Sequence, residues 1–371
     1  MASKAWYRPS ALPQLIAKFD PPQSATQHAR KKCIEVWTTT CIVTNFGMRR
    51  GGDNTNGTDS SSQQQHPQCS TLLNPANPYL TGPNTFPYFP RGGPQPLVQP
   101  QRPAHHIMGY VSQWGGMDVG SGMLFSAEAI DGLVHQQGGL RLRAECSLVP
   151  THDYAHAYVN QQATEAEVKN NDTISDSLHT NDMKAKCPVG TAVMTSPGGD
   201  ELRQHYDCIL HTTPPFYNHP PQMTKELKQT LRIEEEVSDL HSWSRELLRS
   251  CYRQSFHLAF ENNTQMEEKS SFFRNPLGLF GFGKPPTSTH PMRQRVAVPL
   301  MGAGCRAFPK DLALEIAALE SASWLSTFDL EHTKEAEKRN DADESDMAVV
   351  FGLLEREDAE ALSEQLETLL R

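Results

Sequence analysis

A chain of 371 residues with 34 basic and 43 acidic side chains carries a net charge of −9, which argues against a nucleic-acid partner held through phosphate contacts. Hydrophobic content of 37% and mean hydropathy of −0.55 are low for a chain packed throughout, so part of the length is expected in loops or disorder. No apolar run reaches membrane-spanning length, and eight dispersed cysteines without C-x-x-C indicate neither a zinc ribbon nor a disulfide scaffold.

Residues 1–32 read as an N-terminal extension, mildly basic and without an apolar signal core. That pattern leaves organelle targeting open and otherwise points to the cytoplasm or nucleus, as reduced thiols do. Residues 33–371 are expected to form one domain with inserted loops near 47–69, 83–107, 150–185 and 262–292. Residues 33–43, rich in β-branched side chains and Trp37, predict one or two strands. A short apolar strand at 70–74 runs into Asn74-Pro75-Ala76-Asn77-Pro78 and closes on Gly82. Asparagine amides both donate and accept, so they can hold a sugar hydroxyl without adding charge. A plain turn is the competing reading.

Residues 114–122 form a glycine-rich loop containing Gly115 and Gly116. It leads into a predicted helix over 127–137, with Ile130, Leu133 and Val134 at helical spacing and Gly138-Gly139 as its stop. Residues 191–195 and 207–212 predict paired strands around a Pro-Gly-Gly turn. Leu240, Trp243, Leu247, Cys251 and Phe256 mark an amphipathic helix over 238–260. A buried strand at 295–300 is followed by Gly302-Ala303-Gly304-Cys305, small residues that let backbone approach an anion, or simply turn tightly. A helix (309–324), a strand (347–354) and a last helix (358–370) complete the chain. Strands alternating with helices predict an α/β fold, a mixed sheet flanked by helices, with ligands beyond the carboxyl ends of the strands.

Five stretches, in order, resemble the macro domain family, which binds ADP-ribose. They are LLNPANPYLTG, AIDGLVHQQGG with Glu145 and Cys146 after it, CPVGTAVMTSPG with YDCILHTTPP, LLRSCYRQSFHLA, and VAVPLMGAGCRAFPKDLALEIA. The resemblance implies a three-layer α/β/α sandwich and ADP-ribose or an ADP-ribosylated protein as partner, with neither metal nor cofactor. It also implies hydrolysis of ADP-ribosyl linkages in mono-ADP-ribosyl protein or O-acetyl-ADP-ribose. The alternatives are a non-catalytic reader of ADP-ribose and a degenerate scaffold. Carried over, Asn77 would hold the ribose beside the scissile bond, with Asn74, Gly115 and Gly116 also lining the ligand. Asp131 would orient or activate water at the anomeric carbon, or else be only a first-turn acid favoured by the helix dipole. Gly302, Ala303, Gly304 and Cys305 would line the pyrophosphate.

The chain also departs from the family pattern. Thr39-Thr40-Cys41 stands where a Gly-Asp pair reads adenine, and Ser126-Ala127-Glu128 stands where glycines abut the Asp-Gly pair, which makes Asp118 a rival to Asp131. Arg306 replaces an aromatic residue and is expected to pair with the pyrophosphate. His152 and His156, near Cys146 and Cys187, are expected to be solvated rather than zinc ligands.

Overall fold

A computed structural model describes residues 12–21, 32–48, 66–82, 118–119, 122–123, 130–152, 185–233, 237, 239–260, 294–327 and 347–371. Nine strands are formed there: β1 (Gln14–Phe19), β2 (Lys32–Thr38), β3 (Thr71–Pro75), β4 (Asp118–Val119), β5 (Gly122–Met123), β6 (Ala192–Thr195), β7 (Cys208–Thr212), β8 (Gln294–Pro299) and β9 (Met347–Leu353). The helices are α1 (Ile42–Asn45), α2 (Ile130–Leu148), α3 (Asp200–Arg203), α4 (Lys225–Leu231), α5 (Leu240–Phe260), α6 (Lys310–Thr327) and α7 (Arg356–Leu370). Seven strands make one sheet in the order β1-β2-β9-β8-β3-β7-β6, while β4 and β5 pair only with each other. The five central strands are parallel and the edge strands β1 and β6 antiparallel.

Side chains alternate across a strand, and that alternation sorts the sheet residues into two cores. Ile34, Val36, Leu73, Leu210, Val296, Val298, Val349 and Phe351 pack with α5, α6 and α7. Their neighbours Cys33, Trp37, Leu72, Ile209, Ala297, Ala348 and Val350 pack with α1, α2 and α3. Helices therefore cover both faces, giving the three layers expected. Buried strands of this kind read as continuous apolar runs, which is why β8 and β9 are plain in the sequence.

Differences from the sequence reading have local causes. Residues 14–19, inside the stretch read as an extension, pair with β2 as an edge strand whose register shifts between Leu15 and Ala17; Gln14, Leu15 and Lys18 are exposed, and Ile16, Ala17 and Phe19 are half-buried. After β2 the chain makes the short helix α1, although its β-branched residues favour a strand; Ile42 and Val43 pack into the second core, and burial outweighs propensity. The 238–260 helix begins at Leu240 because Asp239 accepts from the N–H groups of His241 and Ser242, both at 2.9 Å. Helix α4 lies outside the predicted elements; Thr224 caps it by accepting from Leu227 N–H. Helix α2 is two helical pieces joined at Gly139 (φ 59°, ψ −154°), so the Gly-Gly pair bends the chain and helix resumes beyond it. Strands β6 and β7 pair antiparallel as expected, with α3 inserted between them.

Candidate functional site

The chain leaves β3 toward α2 on one face of the sheet and leaves β8 for α6 on the other. Neighbouring parallel strands whose connections part in this way open a crevice beyond their carboxyl ends. Two loops, 76–82 after β3 and 300–309 after β8, border it. The first is fastened to the sheet: Ala76 N–H donates to Thr212 C=O (2.8 Å), and the N–H groups of Lys186 and Cys187 donate to Pro78 C=O.

Asn74 stands opposite His211 in the β3–β7 register, on the face covered by α2. Its Nδ2 donates to Asp131 Oδ1 at 2.8 Å and lies 3.1 Å from His211 Nδ1. The Asn74 side chain is fully buried, and its Oδ1 has no hydrogen-bond partner among the described residues. Asp131 sits in the first turn of α2 with 12% of its side chain exposed, and His135, one turn on, brings Nε2 to 3.5 Å from Asp131 Oδ1. Both His135 ring nitrogens otherwise lack hydrogen-bond partners among the described residues. Burial raises the Asp131 carboxyl above its ordinary value, with His135, the Asn74 amide and Arg306 pulling the other way. A carboxylate so placed beside an open acceptor can take a proton from, or orient, a water or hydroxyl.

The second loop is built around its glycines. Gly302 has φ +92°, and a Cβ there would meet Leu248 and Phe308 at 3.0–3.1 Å, so this position needs glycine to form the turn. Gly304 is the opposite case: it is exposed, and a Cβ would meet nothing within 4 Å among the described residues. Burial pushes the Cys305 thiol up, while Arg306 and the N–H groups of Cys305 and Arg306 favour its thiolate. The loop thus gathers amide donors and a guanidinium around one point, as an anion cradle does. Arg306, 5% exposed, donates from Nη2 to Ala76 C=O at 3.2 Å and lies over the Phe216 ring at 4.4 Å.

Asn77 is 3% exposed and its amide serves the loop. Its Nδ2 donates to Gly82 C=O at 3.0 Å, and its Oδ1 accepts from Tyr79 N–H at 3.0 Å and from Thr81 N–H at 3.4 Å. Gly115, Gly116 and His156 lie outside the described residues, as do 49–65, 83–107, 153–184 and 262–292 of the expected insertions. Asp118 is placed on β4, paired with Met123. At the Thr39-Thr40 turn, Asn45 Nδ2 donates to both hydroxyls at 3.1 and 3.3 Å. Lys186, next to the buried Cys187, donates to Cys146 C=O at 3.0 Å, and His152 pairs with Ala185 through the backbone. His211 and Thr195 are site residues that no local spacing reveals: strand register sets His211 opposite Asn74, and Thr195 on β6 reaches His211. Among the described residues no helix is long and apolar enough to cross a membrane.

The model of the Macro domain family matches residues 166–317, which include β6, β7, α5, β8 and the second loop but begin after Asn74, Asn77 and Asp131. No curated protein matches the chain. Among solved structures the chain is similar to an Oceanobacillus iheyensis macrodomain with MES bound, at 15% identity and a TM-score of 0.40 over 95% of this chain and 97% of that one. The same macrodomain with ADP gives 15% identity and a TM-score of 0.40 over 95% and 97% of the two chains. A Trypanosoma brucei macrodomain in complex with ADP-ribose gives 14% identity and a TM-score of 0.33 over 80% of this chain and 63% of that one.

Proposed function

We propose, for a chain whose segment 166–317 belongs to the macro domain family, that it binds ADP-ribose across the crevice between its two loops. The observation that carries this reading is the pairing of Asn74 and Asp131 at one wall with the open face of Gly304 at the other. Asn74 Oδ1 and the Asp131 carboxylate are both acceptors, the complement of a ribose diol. At the opposite wall the small-residue turn 302–305 lets a pyrophosphate approach backbone. Gly302 gives that turn its shape and Gly304 keeps its outer side clear. Asn77 acts by holding the first loop in shape rather than by reaching the ligand.

The finer reading is hydrolysis. Asp131, held above the ordinary carboxylate range by burial, takes a proton from a water that attacks the anomeric carbon of the distal ribose. The C1–O bond breaks and the linkage oxygen leaves with the carboxylate of the modified side chain, so the products are free ADP-ribose and a free acid.

Amide hydrogen exchange with and without ADP-ribose tests the binding site. Slowed exchange in 74–82 and 302–306 is expected. Protection confined to other segments would place the ligand elsewhere.

A further inference from the structure

We infer that His211 and Thr195 are positioning residues that fix which way the Asn74 amide faces. Neither lies on the crevice loops; both act from the sheet. Thr195, His211 and Asn74 occupy three adjacent strands, β6, β7 and β3, and alternation puts them on the same face as Val193, Ile209 and Leu72. They form a row. Thr195 Oγ1 is 2.9 Å from His211 Nε2, His211 Nδ1 is 3.1 Å from Asn74 Nδ2, and Thr195 Oγ1 donates to Ser196 C=O at 3.0 Å.

The direction of each bond follows from donor counting. The Asn74 NH2 has two hydrogens, one directed to Asp131 Oδ1 and one to His211 Nδ1. His211 Nδ1 must then be bare, which puts the ring proton on Nε2, where it donates to Thr195 Oγ1. The Thr195 hydroxyl proton is already given to Ser196 C=O, so Thr195 accepts. An imidazolium would aim a second donor at the Asn74 NH2; consistently, burial and then His135 lower the His211 pKa to about 3. Asn74 is left with one orientation: Nδ2 toward Asp131 and His211, Oδ1 buried and without a partner among the described residues. A buried carbonyl without a donor is unfavourable, and a ligand hydroxyl that donates to it removes that cost. The row therefore selects a hydroxyl-bearing ligand, which rests on the ADP-ribose reading; the tautomer and the amide orientation do not.

Two measurements test this. In the ligand-free protein at neutral pH, long-range proton–nitrogen NMR should show His211 with its proton on Nε2. A proton on Nδ1, or an imidazolium, overturns the inference whether or not ADP-ribose binds. The second compares Thr195→Ser, which keeps the hydroxyl, with the near-isosteric Thr195→Val, which removes it. The Ser variant should bind ADP-ribose within about twofold of the parent and the Val variant roughly tenfold more weakly, with His211 losing its single tautomer in the Val variant alone. Equal affinity and an unchanged tautomer in both overturn it. If the parent fails to bind ADP-ribose, the functional reading falls, and the tautomers of parent and variants still decide the role of the row.

Discussion

Arg306 Nη2 donates to the carbonyl of Ala76 at 3.2 Å, joining two loops that lie 230 residues apart in the chain. The guanidinium also rests on Phe216, so it is buried on a ring face while reaching across the crevice. A lysine ammonium cannot reproduce the planar fork or that stacking. Arg306→Lys should lower stability by about 1–3 kcal/mol, because a buried carbonyl loses its donor, and should weaken ADP-ribose binding as the loops separate. Urea unfolding reads the first effect and a titration the second; unchanged stability would mean that the bridge contributes nothing.

The two asparagines should separate by phenotype. Asn77→Ala removes the bonds that shape the first loop and should cost about 1–3 kcal/mol of stability. Asn74→Ala should chiefly reduce ADP-ribose affinity, because the acceptor that has no partner among the described residues goes with the side chain. Denaturation midpoints and titrations on both variants decide this; the reverse pattern would return the ribose contact to Asn77.

The architecture was legible because the central parallel strands carry short runs of apolar residues, as in Val296–Val298 and Ala348–Phe351. The 295–300 strand and the Gly302–Cys305 turn were found almost to the residue. Single-site roles were less legible. Asn74 and Asn77 are three apart and look equivalent in sequence, yet Asn74 ends up on β3, where register sets it opposite His211, and Asn77 lies in the turn that folds on itself. Thr195 and His211 are 16 residues apart, and only the β6–β7 and β3–β7 pairings line them up. Arg306 was expected to hold a ligand anion, and a carbonyl 230 residues away is not visible from its neighbours.

His211 sets a pH dependence whose sign is fixed. Its pKa falls from 6.5 to about 3 on folding, because burial disfavours the charged ring. The unfolded chain therefore binds more protons between those values. The stability is fully present above pH 6.5 and is lost as the pH falls toward 3, with a limiting slope of about 1.4 kcal/mol per pH unit. His211→Asn keeps an acceptor near Asn74 and removes the titration. The parent-minus-variant stability should decline through this range in urea melts, and a flat difference would show that His211 is protonated in the folded protein.

Asp131→Asn should keep ADP-ribose bound and lose turnover by about 10²–10⁴, since an amide can still accept from Asn74 but cannot act as a base. Release of ADP-ribose from a mono-ADP-ribosylated protein is the assay. Asp118→Asn is the comparison, and loss in that variant with normal turnover in Asp131→Asn would move the catalytic role to β4. Binding without turnover in the parent would make the protein a reader.

The most direct test of ADP-ribose binding across the two loops is a calorimetric titration of the parent, Gly302→Ala and Gly304→Val with ADP-ribose, with AMP for comparison. Gly302→Ala meets Leu248 and Phe308 at a positive φ and should lose stability, by about 1–2 kcal/mol from the backbone alone. A Cβ at 304 meets no atom of the described residues within 4 Å, so Gly304→Val should fold as the parent does. Parent binding to ADP-ribose that exceeds AMP binding, together with a Gly304→Val variant of parental stability that no longer binds, is the predicted result. A Gly304→Val variant that binds ADP-ribose as tightly as the parent, or a parent that does not bind it, would contradict the account.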